Sequence, residues 1–237
     1  MTVTALANIR DVSDGLAIGT IRRGVLLRSD APMIGDQTPV GIAWPPSTIV
    51  DLRHPVELMG DEHPLASGGA VVHRVSLVDP AGEGPRGAGA DDLSGFYSRL
   101  LTPPAIGLVE AVELIAAAGD GPVLVHCLAG KDRTGVVIAL VLRLVGVVRS
   151  QVINEYLLTN LVLDQLMPRL NQSYAAIDGP NREARTVTRA HIAAPREHIV
   201  HVMDVWDGNR EGTLGWYLDN GGNAGSVAAL TARLVEP

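Results

Sequence analysis

A short apolar run, Pro122-Val123-Leu124-Val125, breaks into the polar stretch His126-Cys127-Leu128-Ala129-Gly130-Lys131-Asp132-Arg133-Thr134-Gly135 and resumes as Val136-Val137-Ile138-Ala139-Leu140-Val141-Leu142. Four apolar residues ending at a glycine-containing turn, followed by a longer apolar segment, predict a buried strand, a tight loop and a buried helix. Such a loop ends on a helix N-terminus, where free N–H groups and the positive end of the helix dipole meet and favour an anion.

The loop holds the only cysteine of the chain, six positions before an arginine. A thiolate is the reactive form of cysteine, and N–H dipoles with a fixed cation favour it. The residues from Leu128 to Thr134 can curl so that successive N–H groups point inward as a nest for phosphate oxygens. Arg133 can bind two of those oxygens side by side, which a lysine cannot do. Cys127 below a cradled phosphoryl group implies in-line attack and a cysteinyl-phosphate intermediate, with the donors matched to the equatorial oxygens. Thr134 places a hydroxyl near the sulfur, and Gly130 and Gly135 suit close backbone approach. A nucleotide-binding loop is excluded, because Gly-x4-Gly-Lys-Ser/Thr needs glycine at Val125 and a hydroxyl at Asp132. The residues point to phosphate-monoester hydrolysis.

Cys-x5-Arg-Thr-Gly resembles the signature of the cysteine-dependent protein tyrosine phosphatase superfamily. The fuller His-Cys-x-Ala-Gly-Lys-Asp-Arg-Thr-Gly is similar to its bacterial branch, which acts on phosphotyrosine and phosphoinositides and is typified by a secreted mycobacterial enzyme. Gly24–Asp30, Ile49–Arg53, Glu155–Asn160 and Gly215–Leu218 resemble further segments of that branch, so the likeness is scattered over most of residues 8–235. It implies an α/β fold, a central twisted sheet flanked by helices, tyrosine-phosphatase-like, with a helical C-terminal extension. The expected division is a single domain over 1–237: a core to about 178 and a helical extension from about 179 packed on it. No cofactor and no metal are implied.

The leaving oxygen needs a proton from a carboxylic acid on the face opposite the cysteine. In the superfamily this acid sits on a loop as Trp-Pro-Asp. Here Val78-Asp79-Pro80 follows a strand-like segment without the tryptophan, so Asp79 is one candidate and equally a turn residue before proline. The branch also carries an aspartate in the loop, matched by Asp132. Its neighbours Lys131 and Arg133 favour the carboxylate, which suits water activation or orientation. Lys131 resembles loops that accept highly charged headgroups, the alternative being a solvated rim lysine. His126 is expected to shape the loop by hydrogen bonding. Arg53 either lines the pocket rim or pairs with Asp51 or Glu57. The expected substrates are phosphoproteins first, then phosphoinositides, then small phosphate esters, with a catalytically silent phosphate-binding module as the non-enzyme alternative.

A net charge of -7 argues against general nucleic-acid binding. With only 3% aromatic residues, Ala, Val and Leu must fill the core. Met1–Asn8 lacks a charged start with an apolar core, so no secretory signal is expected. The apolar stretch Gly135–Val148 is too short to span a bilayer and contains Arg143. Cytoplasm is the default location, and the resemblance leaves export without a signal peptide open.

Strands are expected near 18–21, 25–28, 49–52, 71–77 and 122–126. Helices are expected near 94–101, 104–118, 134–146, 150–159, 161–177, 189–206, 211–218 and 226–234. The glycine- and proline-dense stretch 79–92 reads as a long loop, a lid or plain disorder. Segment 161–177 is amphipathic, either covering the site as in the related family or simply packing. His198 and His201 share a helix face near His191, but no cysteine or carboxylate pattern completes a metal site.

Overall fold

The computed structural model describes residues 5–58, 60, 62–77, 93–178 and 187–236. Asp79 and the rest of the 79–92 stretch lie outside them. Five strands form one sheet: β1 (Arg10–Asp11), β2 (Leu26–Ser29), β3 (Thr48–Asp51), β4 (Val71–Arg74) and β5 (Val123–His126). Their spatial order is β1-β2-β5-β3-β4. β1 runs antiparallel to β2, and all other pairings are parallel. β5 is central and every one of its residues is buried. That is why 122–126 reads as a continuous apolar run rather than an alternating one.

Alternate residues of these strands serve two faces. Leu26, Val50, Val123 and Val125 join the main core. Leu27, Ile49 and Leu124 form a smaller cluster on the other face, with Ile42, Trp44 and Leu65 packed against it. The main face is covered by α2 (Ile106–Ala117) and α3 (Asp132–Leu144), whose residues Leu108, Val112, Ile115, Val136, Ile138 and Leu140 are buried. α1 (Leu93–Leu100) and α4 (Arg149–Leu157) flank them. Beyond α5 (Leu163–Asp178) follow α6 (Arg189–Ile192), α7 (Arg196–Asp207), α8 (Gly212–Asp219) and α9 (Ala224–Leu234). Val202, Trp206, Trp216 and Leu230 of the last three enter the same core as the sheet.

Two expectations change. No strand forms at 18–21: the segment turns, and Ile18 is fully exposed. The edge beside β2 is taken instead by Arg10–Asp11, which the Arg10–Glu155 ion pair at 2.9 Å anchors to α4. The helix expected over 189–206 is two helices, because Pro195 has no N–H to continue α6 and becomes the N-cap of α7.

Candidate active site

The parallel ladder sets His126 between Ser29 of β2 and Asp51 of β3. Cys127 therefore leaves the central strand at the carboxyl edge of the sheet, where open α/β folds place their ligands. The next residues fold into a loop that enters α3 at Asp132.

The loop's shape follows from where its carbonyls go. The Cys127 carbonyl lies 3.1 Å from His126 Nδ1, and the Leu128 carbonyl accepts the Ala31 N–H at 3.0 Å. Asn8 Nδ2 donates to the Ala129 and Gly130 carbonyls at 3.0 and 3.1 Å. Arg28 Nη2 donates to the Gly130 carbonyl at 2.5 Å. With the carbonyls tied outward, the N–H groups face the other way, toward the unsatisfied first turn of α3. Gly130 has φ +64°, and a Cβ there would lie 2.1 Å from the Ser29 carbonyl oxygen. A Cβ on Gly135 would lie 2.9 Å from the Tyr156 ring. At Gly130 only glycine fits without backbone displacement, whereas a side chain at Gly135 would displace the buried Tyr156 ring.

Behind the loop, Glu155 joins two buried guanidiniums, Arg10 at 2.9 Å and Arg28 at 2.6 Å. Burial alone would raise the Glu155 pKa, but the two cations outweigh it and hold it low. Burial lowers Arg10 to about 10 despite this partner.

Arg133 is buried and held end-on by Glu57: Nη1 to Oε2 at 2.5 Å, Nη2 to Oε1 at 2.8 Å, with Nη1 also on the Leu52 carbonyl at 3.2 Å. Burial would depress the guanidinium, but Glu57 outweighs it and holds Arg133 charged. Glu57 closes the short 3-10 turn Pro55–Glu57, where it also accepts the His54 N–H at 2.8 Å. Thr134 is fully buried, and its Oγ1 has no hydrogen-bond partner among the described residues.

Asp132 accepts the Tyr97 hydroxyl at 2.6 Å, and Tyr97 in turn lies 2.9 Å from the Tyr156 hydroxyl. Burial raises both phenols, with Asp132 adding to it, so both stay protonated and available as donors. Lys131 is neither a rim lysine nor solvated. It is 1% exposed, and its Nζ donates to the His191 and Ala193 carbonyls at 3.1 and 3.0 Å, with Asp132 at 3.5 Å. Arg53 pairs with Asp51 by two contacts of 2.9 and 2.7 Å, which settles its partner as Asp51 rather than Glu57. His126 makes the loop-shaping bond to Cys127 noted above.

α5 packs Leu163, Leu166 and Leu170 against Leu128 and Ala31. Arg169 straps it to the end of β2 through Asp30, the Ala31 carbonyl at 2.9 Å and Asp36 at 2.7 Å. On this helix Tyr174 packs against the cluster that holds Leu128; burial raises its phenol, and it lies within electrostatic reach of Glu57, Arg133, Asp132 and Cys127. His198 stacks beside Tyr97 and His201 bonds Ser98. Asn8, Arg10, Arg28, Glu155, Tyr97 and Tyr174 carry no role in the sequence reading, and Glu57 figures there only as a possible partner of Arg53, not of Arg133. The local sign for one of them was Arg28, a cation inside the apolar run of β2, which requires a counter-ion.

A mixed, mainly parallel sheet with a cysteine loop at its carboxyl edge and an arginine fixed on the next helix is the arrangement of the cysteine-phosphatase class. Residues 1–236 match the model of the tyrosine phosphatase family, and the chain belongs to it. It is 30% identical over 163 residues to the triple specificity protein phosphatase PtpB of Mycobacterium tuberculosis, covering 62% of this chain and 58% of that protein. It is 39% identical over 66 residues to a tyrosine-protein phosphatase of Nostoc commune, covering 28% of this chain and 22% of that one. The aligned part thus spans less than two thirds of either relative. The core catalytic domain of the S. cerevisiae PP-IP phosphatase SIW14, solved with citrate, is 16% identical with a TM-score of 0.29, covering 78% of this chain and 91% of that one. No helix among the described residues is long and apolar enough to cross a membrane.

Proposed function

We propose that the chain hydrolyses phosphate monoesters through a cysteinyl-phosphate intermediate, with protein phosphotyrosine as its first substrate class. The observation that carries this reading is the loop from Cys127 to Arg133, whose carbonyls are tied outward while Glu57 fixes the guanidinium. Cys127 Sγ attacks phosphorus in line, and the ester P–O bond breaks as the S–P bond forms. Arg133 and the N–H groups from Leu128 to Thr134 hold the three equatorial oxygens. Because Glu57 occupies the terminal edge of Arg133, the phosphoryl oxygens take the edge that carries Nε. In the second step water attacks phosphorus and the thiolate leaves, stabilised by the free Thr134 hydroxyl. Asp132, oriented by Tyr97, activates that water; Asp79 is the remaining candidate for protonating the leaving oxygen.

Tyr174 offers an aromatic wall beside the cradle, which suits an aryl ester. Lys131 is turned away onto the carbonyls of His191 and Ala193, which supports ranking polyphosphorylated headgroups second. The name of the PtpB relative, a triple specificity phosphatase, keeps phosphoinositides in the comparison.

The test is phosphate release from an aryl phosphate, a phosphotyrosine peptide and a phosphoinositide, without added metal. Turnover lost in Cys127→Ser while tungstate still binds supports the mechanism. Turnover retained in that variant overturns it, and a higher kcat/KM on the phosphoinositide reverses the substrate order.

A further inference from the structure

We propose that His63 is a positioning residue that fixes the tautomer of His126 and, through it, the orientation of the Cys127 carbonyl. The two imidazoles are buried and meet Nε2 to Nε2 at 3.0 Å. A contact of that length between two neutral rings holds one proton, so one ring donates and the other accepts. The outer nitrogens decide which. His63 Nδ1 accepts the Leu65 N–H at 3.1 Å, so it is unprotonated and the proton of His63 sits on Nε2. His63 Nε2–H therefore donates to His126 Nε2, and the proton of His126 sits on Nδ1, 3.1 Å from the Cys127 carbonyl oxygen. The direction of every bond from the Leu65 amide to the nucleophile's own peptide is thereby determined.

The alternative arrangement is close at hand. Asp51 Oδ1 lies 3.8 Å from His126 Nε2 and attracts a proton there. With that tautomer, Nδ1 would present a lone pair to the Cys127 carbonyl, and the peptide that carries the Leu128 N–H would rotate out of the cradle. His63 blocks this by offering a donor. The other charges facing the pair, Arg53 and Arg133 beside His126 and Arg53 and Arg74 beside His63, disfavour a second proton on either ring, as does burial.

Asp51, His63 and His126 also bring three ligand atoms within 4.8 Å of one another. The geometry points to a proton rather than a metal: His63 Nδ1 is an acceptor, so Nε2 has no free lone pair, and Asp51 is already paired with Arg53.

The inference rests on Cys127 being the nucleophile, but its test needs no turnover. Nitrogen–proton correlation spectra of the full chain at pH 7 should show His126 protonated at Nδ1 and His63 at Nε2. His126 protonated at Nε2 would overturn the proposal from the wild-type spectrum alone, even if variants fail to fold. His63→Ala should move the His126 proton to Nε2 and slow iodoacetamide alkylation of Cys127 at pH 6 by roughly three- to tenfold, the loss of about one hydrogen bond. His63→Gln, whose amide N–H reaches the same acceptor, should restore both. An alanine variant with an unchanged tautomer and alkylation rate would overturn it, as would a glutamine variant equally impaired. Stoichiometric zinc should leave both rings' signals in place; loss of the His63 Nε2–H signal on zinc addition would replace the proton relay with a metal site. A chain with the stated tautomers that fails to hydrolyse any ester would overturn the phosphatase reading and leave this one standing.

Discussion

Glu57 grips Arg133 by both terminal nitrogens, at 2.5 and 2.8 Å, with each side chain less than 5% exposed. The pair joins the turn after β3 to the first turn of α3, so the Arg133 guanidinium is oriented before any ligand arrives. Removing one partner of a buried pair costs about 3–5 kcal/mol because a charge is stranded. Glu57→Gln should therefore lower unfolding free energy by roughly half that, and kcat/KM on an aryl phosphate by about tenfold to a hundredfold. Urea titration and steady-state rates check this; a variant with wild-type rates would show that Arg133 orients itself.

Gly130→Ala tests the loop's shape. Its Cβ would meet the Ser29 carbonyl at 2.1 Å on a backbone with φ +64°, so a loss of about 3 kcal/mol or more is expected. Tungstate affinity should fall with it. Calorimetric titration that finds full affinity would mean the loop can adopt a second conformation that still binds.

The charge cluster behind the loop makes a contrast between single and double variants. Glu155→Leu leaves Arg10 and Arg28 facing each other without a carboxylate, at a cost of about 3–5 kcal/mol. Adding Arg28→Met should recover part of that loss, because two mutually compensating charges are then absent together. Denaturation midpoints of the wild type, Glu155→Leu, Arg28→Met and the double variant decide it, and strict additivity would deny the coupling.

Acid should weaken the fold through the histidine pair. Burial brings His63 down to about 3 and His126 to about 4, against about 6.5 in an unfolded chain. Between about pH 6.5 and 4 the unfolded chain binds protons that the folded one does not. The stabilisation is therefore complete above pH 6.5 and is lost as pH falls, by at most about 1.4 kcal/mol per pH unit for each ring. Urea midpoints measured from pH 8 to 5 should stay level and then drop. In His63→Gln, which removes one of the two titrations, the drop should be about half as steep.

Tyr97→Phe removes the hydroxyl that orients Asp132 while leaving the ring in place. The expected result is a fall in kcat of roughly tenfold with KM little changed, as for a residue acting in the transition state rather than in binding. A rise in KM alone would assign Tyr97 to substrate contact.

Much of this site was legible from local sequence, and the division has a physical cause. The strand, loop and helix around Cys127 are read from apolar run lengths and from the Cys–Arg spacing, both properties of neighbouring residues. Glu57 and His63 lie on connecting turns without periodicity, and only the parallel register of β3 against β5 brings their surroundings beside His126. Lys131 reads as a headgroup-binding or solvated rim cation because nothing local announces that His191 and Ala193 will offer their carbonyls to it. Edge strand β1 is two charged residues, invisible to any hydrophobic pattern, and Pro195 was the overlooked stop in the helix read across 189–206. Asp79 lies outside the described residues, so its part in the reaction rests with mutagenesis.

The tether from Asn8 to the Ala129 and Gly130 carbonyls joins positions 121 and 122 residues apart. A loop held in this way has no stable form of its own during folding, since closing so long a span must precede the bonds that reward it. The expected order is that the surroundings of Cys127 assemble late, after β1 has docked beside β2. Recovery of anion binding from denaturant should therefore track the slowest phase of refolding, well after the helices have regained their circular dichroism.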